Sequence, residues 1–444
     1  MDTLKRMNAA KCRALLIAAP LQDVARISLI PCECAEEIAY GETTKECIPR
    51  NTLKSLCTNE SITSFALREL NIDSYDSRWG PLDKFCTPCL ERIRLTGHMP
   101  DNFTAIHAFN GSVPSVTFLE IRASSFLGDV LSCVDRVFPS LQSLVIDSEG
   151  YSLDGSPLLE LNLFPNLAES LRSLSLRCRS FVVTKKKRKD DCIPKKLLRL
   201  ESLNFANQND EDAKHLNDVL DICDLAAIRN FKCHSTMQMR CAGVARKLVN
   251  CSHFALGSSI QSADNLSLPW LLAQFLYERP AGSADIVTLM VQPYLPCNPG
   301  HGIDLFLEKF GATIRSSSLF LPENPVDTLR LMPRIVKADI DLIDAPNTVH
   351  FNDFADVLSR PECETEKITI KPHYAWFFTG QPLKPVLSAS LRRLRFDITQ
   401  LPDRDCYGEI SQAFLSGCPR LMTVQLTKQY NNNSSKTQTI KRQW

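Results

Sequence analysis

Glycine is scarce in this chain, 16 among 444 residues. There is no glycine-rich phosphate loop, and the HExxH, GxSxG and protein-kinase signatures are missing too. The 8 histidines are scattered, and nothing pairs an activated nucleophile with a base at recognisable spacing. These absences argue against an enzyme and against a resident cofactor. Neither sign of charge is in excess. Lys and Arg number 51 against 50 Asp and Glu, a net charge of +1, so no global field points to nucleic acid or to a membrane surface. No apolar run approaches the roughly 20 residues needed to span a bilayer. The short apolar run Ala14 to Ala19 is soon followed by Arg26 without a cleavage site. A cytoplasmic and/or nuclear protein is expected.

A dense, even disulfide framework is also lacking. The 18 cysteines are scattered along the chain, as reduced thiols buried like small hydrophobes would be. Cys86-Thr-Pro-Cys89 is the only CxxC, and no second close pair or histidine pair completes four zinc ligands. Thr87-Pro88-Cys89-Leu90 instead aligns with Phe138-Pro139-Ser140-Leu141 and Cys418-Pro419-Arg420-Leu421, as the turn before a strand. No metal site is expected.

What the chain does have is a repeat. In Ser132–Asp147 and the residues just before it, Val130, Leu131, Val134 and Val137 fall at helical spacing. Phe138-Pro139 marks a break, and Leu141, Leu144 and Ile146 follow as a strand. One helix–strand hairpin cannot bury its own apolar face, so copies are needed on either side. LxxLxL-type cores recur from Leu67, Leu90, Val116, Leu141, Leu171, Leu200, Ile228 and Cys251. They continue from Ile286, Ser316, Lys337, Thr365, Leu391 and Leu421. The mean period is about 27 residues, with individual spacings from 21 to 35. Apolar helix stripes are expected at Leu216, Val219, Leu220 and Ile222, at Trp270, Leu271, Leu272, Phe275 and Leu276, and at Ile303, Leu305, Phe306 and Phe310.

This pattern resembles the long, helix-containing repeats of the leucine-rich-repeat family, of the ribonuclease-inhibitor-like kind, over most of the chain. The resemblance implies an α/β solenoid, a horseshoe with parallel strands on the concave face and helices outside. About 14 repeats would occupy residues 59–429, after a small helical N-terminal module over 1–58. An ordinary parallel α/β domain is the alternative. Past Gln429 the chain is polar, and a disordered tail over 430–444 is expected.

Near the N-terminus, Asp23 is placed to cap a helix with apolar residues Val24, Ile27, Leu29 and Ile30. With Pro20 and Leu21 before it, this resembles the second half of an F-box, although the usual leucine–proline opening is absent from the first 13 residues. The resemblance implies docking of a Skp-type adaptor and cullin complex through Pro20, Leu21, Asp23, Val24, Ile27 and Leu29. The chain would then be the substrate receptor of a ubiquitin ligase, performing no chemistry itself. A capping helix for the first repeat is the plainer reading. A scaffold or inhibitor without a ligase, or a GTPase-activating repeat protein, are the other functional readings, but no Arg singles itself out for the last.

Two charged features complete the reading. Lys185, Lys186, Lys187, Arg188 and Lys189 form a basic run, a candidate nuclear import signal or a solvated loop. Lys367 and Lys371 on one strand and Arg393 and Arg395 on the next occupy positions that point away from the core. They would form a basic patch for a protein partner, unless Asp339, Asp341 and Asp397 neutralise it.

Overall fold

The computed structural model divides the chain into two compact units, Met1–Ala227 and Ile228–Trp444. The residues described are 26–29, 68–73, 88–97, 106, 109–123, 130–147, 165–178, 196–207, 214–257, 267–292, 302–320, 325–342, 350–371, 382–398, 407–429 and 435–441.

In the N-terminal unit the strands follow one another in sequence order, all parallel. They are β1 (Arg26–Leu29), β2 (Glu69–Asp73), β3 (Arg92–Gly97), β4 (Phe118–Ala123), β5 (Ser143–Asp147), β6 (Ser173–Cys178) and β7 (Ser202–Asn207). Helices α1 (Val130–Val137), α2 (Pro165–Ser170) and α3 (Lys214–Asp221) lie between strands in the chain. Asp135 of α1 is buried, and its carboxylate accepts the Leu167 N–H at 2.8 Å in the first turn of α2. One repeat thus caps the helix of the next, satisfying a donor that a helix start leaves open.

The C-terminal unit repeats the plan. Strands β8 (Asn230–Cys233), β9 (His253–Gly257), β10 (Thr288–Gln292) and β11 (Ser316–Phe320) are followed by β12 (Lys337–Asp341), β13 (Lys367–Lys371), β14 (Arg393–Ile398) and β15 (Thr423–Gln429). These eight are parallel neighbours in sequence order. Between them run α4 (Thr236–Cys241), α5 (Val244–Lys247), α6 (Ser267–Tyr277), α7 (Gly302–Phe310), α8 (Pro325–Arg330), α9 (Phe351–Leu358) and α10 (Tyr407–Leu415). An α/β architecture with parallel strands and intervening helices is therefore present in both units.

Strands β3–β7 and β9–β15 are entered in the same way. The residue at the first LxxLxL position is buried to 2% exposure or less, from Leu90, Val116, Leu141, Leu171 and Leu200 to Ile228, Cys251, Ile286, Ile314, Ile335, Thr365, Leu391 and Leu421. Burying one such leucine contributes roughly 2 kcal/mol. The next two residues both donate their N–H groups to one carbonyl of the preceding repeat. Gln142 and Ser143 donate to Thr117 O at 2.9 Å each, Arg172 and Ser173 to Gln142 O, and Arg392 and Arg393 to Glu366 O. This shared acceptor recurs five times in the N-terminal unit and seven times in the C-terminal one among the described residues. Inside the strands the second LxxLxL position is buried throughout, as Leu or Ile from β2 to β7, then Phe231 and Phe254. Phe254 meets Phe275 of α6 edge-on with ring centroids 4.9 Å apart, and Phe275 meets Phe306 of α7 at 6.1 Å.

Several expectations are corrected. Residues Arg26–Leu29 form a strand, in register with Glu69–Ile72, where a helix from Asp23 was expected. The spacing of Ile27 and Leu29 fits either period, and the open backbone groups of β2 decide for the strand. In the tail, β16 (Ser435–Lys441) pairs antiparallel with β15 over its full length where disorder was expected. Thr437, Thr439 and Ile440 are good strand formers, and the unpaired edge of β15 supplies the partner. The repeats expected from Ser316 and Lys337 begin two residues earlier, at Ile314 and Ile335. In register, Ser317 lies opposite Leu289 and Ala338 opposite Ser317, so small residues sit where leucine is expected. Trp270 and Leu305, expected in helix stripes facing the core, are 56% and 50% exposed.

Candidate functional site

Every second strand residue leaves the core, and the strand registers line these residues up in rows across the sheet. In the C-terminal unit one row runs Asn230, His253, Thr288, Ser316, Lys337, Lys367, Arg393 and Thr423. It contains no carboxylate. The row beside it includes Asp339, Thr369, Arg395 and Gln425 on β12 to β15. Neighbouring parallel strands lie about 4.8 Å apart, so Lys337, Lys367 and Arg393 form a basic line three strands wide.

The strand register sets Lys367 opposite Arg393, with Arg395 two residues further on, and the charges here divide into two kinds. Arg395 Nε donates to Asp397 Oδ1 at 2.8 Å, and that aspartate side chain is only 7% exposed. Lys337 Nζ lies 3.4 Å from Asp339 Oδ2. Of the three suspected neutralisers, Asp397 answers Arg395 of the expected patch, Asp339 is taken by Lys337 outside it, and the side chain of Asp341 lies outside the described residues. Lys371 has a partner of its own. Lys367 and Arg393 are exposed, stand opposite each other in register, and make no ion pair among the described residues. Two nearby carboxylates are taken: Glu366 by Arg392 at 3.8 Å and Glu364 by Arg315. Like charges directly opposite on paired strands repel, so this pair is an anion-ready surface.

On the sheet of the N-terminal unit the cations instead meet carboxylates or an aromatic ring. Arg94 lies between Glu69 at 3.6 Å and Glu120 at 3.1 Å, and Arg122 donates to Glu120 at 2.6 Å. Arg177 pairs with Asp147 at 3.8 Å, and Arg92 stacks over the Phe118 ring at 4.5 Å. Beyond them Ser143, Ser173 and Ser202 form a neutral row, and Asn204 donates to Ser175 Oγ at 2.9 Å.

Sequence reasoning missed Lys337. The two-residue phase error placed it at an inward leucine position, whereas its register with Lys367 puts it in the basic line. Of the expected adaptor residues, Ile27 and Leu29 belong to β1, and Pro20, Leu21, Asp23 and Val24 lie outside the described residues. The basic run Lys185, Lys186, Lys187, Arg188 and Lys189 lies outside them as well, as does Cys86. Pro88-Cys89 forms the turn before Leu90, as its alignment with the other repeats implied. Among the described residues no group of three His, Cys, Asp or Glu side chains is placed to hold a metal, and no helix is long and apolar enough to cross a membrane. No protein-family model matches the chain, and no curated protein matches it in sequence.

Proposed function

We propose that this chain is a leucine-rich-repeat solenoid that binds a protein partner on the strand-lined, concave face of its repeats. The observation that carries the reading is the exposed couple Lys367 and Arg393, without an ion pair among the described residues, within a row that holds no carboxylate. A rigid sheet holding two like charges side by side is stabilised when an acidic partner arrives, and electrostatic complementarity of this kind sets specificity and on-rate. The recurring strand entry and the buried leucine positions support the solenoid. The test is photo-crosslinking from the full chain in cells. A crosslinker at Thr369 or Gln425 is expected to trap a protein that one at Glu308, on the exposed side of α7, does not. Equal trapping from both positions, or none from the sheet, overturns the reading.

Service as a ubiquitin-ligase receptor would require a docking helix around Pro20–Ile30. The strand assignment of Arg26–Leu29 supports the reading without a ligase. Co-purification with a Skp-type adaptor, lost on Leu21→Ala with Val24→Ala, would reverse that preference.

A further inference from the structure

We infer that the anion received by Lys367 and Arg393 is a phosphate ester, carried on a serine or threonine of an extended partner segment. The inference rests on the reading above that a partner docks on this face. Three features of the patch select phosphate over carboxylate.

The first is valence. Of the four cations Lys337, Lys367, Arg393 and Arg395, two are answered by Asp339 and Asp397 and two have no ion pair among the described residues. A phosphomonoester carries about −1.5 to −2 charges at pH 7, whereas a single carboxylate carries one. The second is spacing. Lys367 and Arg393 sit on adjacent strands, about 4.8 Å apart at the backbone, and both side chains can converge on one tetrahedral group with three acceptor oxygens. Two carboxylates on the same side of an extended segment would be about 6.6–6.8 Å apart, a poorer match to the pair. The third is chemistry. Arg393 offers a planar fork that binds phosphate through two parallel hydrogen bonds, and Lys367 a compact point charge beside it. Next to them, Thr423 lies opposite Arg393, and Gln425 opposite Arg395. Both are neutral donors that leave room for the flanking peptide without repulsion. A nucleic-acid backbone fits less well, because Thr423 interrupts the basic row between Arg393 and Lys441 and Asp339 lies in the adjoining row.

The experiment uses the purified full chain on immobilised peptide libraries, each degenerate except at its centre. One centre is phosphoserine, one serine, and one a Glu-Glu pair. Retention on the phosphoserine library at least tenfold above the other two is expected. Lys367→Gln with Arg393→Gln, which removes both charges without adding carboxylates, should abolish that excess. Lys384→Gln, which breaks only the exposed pair with Asp356, should leave it intact. Retention on Glu-Glu equal to that on phosphoserine overturns the phosphate inference but leaves the protein-binding reading standing. The inference also falls if the wild type is retained on no library, or if a single-stranded RNA oligonucleotide displaces the phosphopeptides at equal concentration. Crosslinking from Thr369 decides the broader reading separately.

Discussion

On the sheet of the N-terminal unit, Arg92, Arg94, Arg122 and Arg177 meet Phe118, Glu69, Glu120 and Asp147. On that of the C-terminal unit, among the described residues, Asp339 meets Lys337 and Asp397 meets Arg395, while Lys367 and Arg393 make no ion pair. Between these two groups of four cations, what differs is the order of signs across the strands. In the first sheet the signs alternate between neighbours, from Glu69 on β2 through Arg94 on β3 to Glu120 on β4. In the second, three cations stand in one row, and the carboxylates of the two ion pairs lie on the same strand as their partners, two residues away. A parallel scaffold fixes which residues are neighbours. Sign order across strands then decides whether a face is closed to itself or open to an anion.

The sharpest way to break one unit and spare the other is through glycine. A Cβ on Gly417 would lie 2.1 Å from Val386 O, and one on Gly311 2.1 Å from Leu331 O. Neither carbonyl can yield without moving backbone, so Gly417→Ala or Gly311→Ala should cost about 3 kcal/mol. Hydrogen exchange should accelerate in β8 to β15. Gly111→Ala, with nothing within 4 Å of the added carbon, should leave the melting temperature unchanged.

In the N-terminal unit the corresponding weak point is Asp135. Asp135→Ala should cost about 2 kcal/mol, read from the denaturant midpoint, because it strips the cap of α2 and orphans a buried N–H. The Leu167 amide should lose its protection first.

Two substitutions exchange the character of the faces with smaller effects on stability. Glu120→Gln leaves Arg94 and Arg122 without their shared carboxylate and should cost about 1 kcal/mol, an effect that added salt reduces. Thr369→Glu places a carboxylate opposite Arg395 and two residues from Lys367. Stability should stay within about 0.5 kcal/mol, while phosphopeptide retention should vanish. Retention unaffected by Thr369→Glu would mean that sign order does not govern this face.

The smallest contrast concerns the thiols, on which the two units should agree. Burial pushes Cys223 of the first unit and Cys251 of the second up to about 12 from 9.0. Both should resist alkylation at pH 8 while exposed Cys89 and Cys241 react, as read by mass spectrometry. The unfolded chain releases these two protons earlier than the folded one. Stability should therefore fall as pH rises from about 9 towards 12 and be insensitive to these thiols below that window.

Much of this arrangement is legible in the residues themselves. The leucines at 90, 141, 171, 200, 391 and 421 announce strand entries because bulky apolar groups at fixed spacing have no other use in a chain so evenly charged. Where Ser317 and Ala338 replace leucine, periodicity loses its phase, and only the hydrogen-bond register restores it. Lys367 and Arg393 could be placed together because strand alternation fixes their direction. That Arg395 is tied to Asp397 while Arg393 is not depends on side-chain reach, which no spacing rule contains. The strands Arg26–Leu29 and Ser435–Lys441 escaped notice for a related reason. Both form against an edge supplied from elsewhere in the sequence, and their own residues fit more than one period.

The carbonyl that accepts two N–H groups at each strand entry also bears on how such a chain can change. Alignment between neighbouring repeats is fixed within a few residues, at the entry itself, so the length of the return path carries no information about register. Spacings from 21 to 35 residues coexist for that reason. Lengthening a connection costs only about 0.6 kcal/mol per doubling. Insertions and deletions in the return paths are therefore nearly silent for the sheet, and its strand-lined face is insulated from the part of the chain most free to vary.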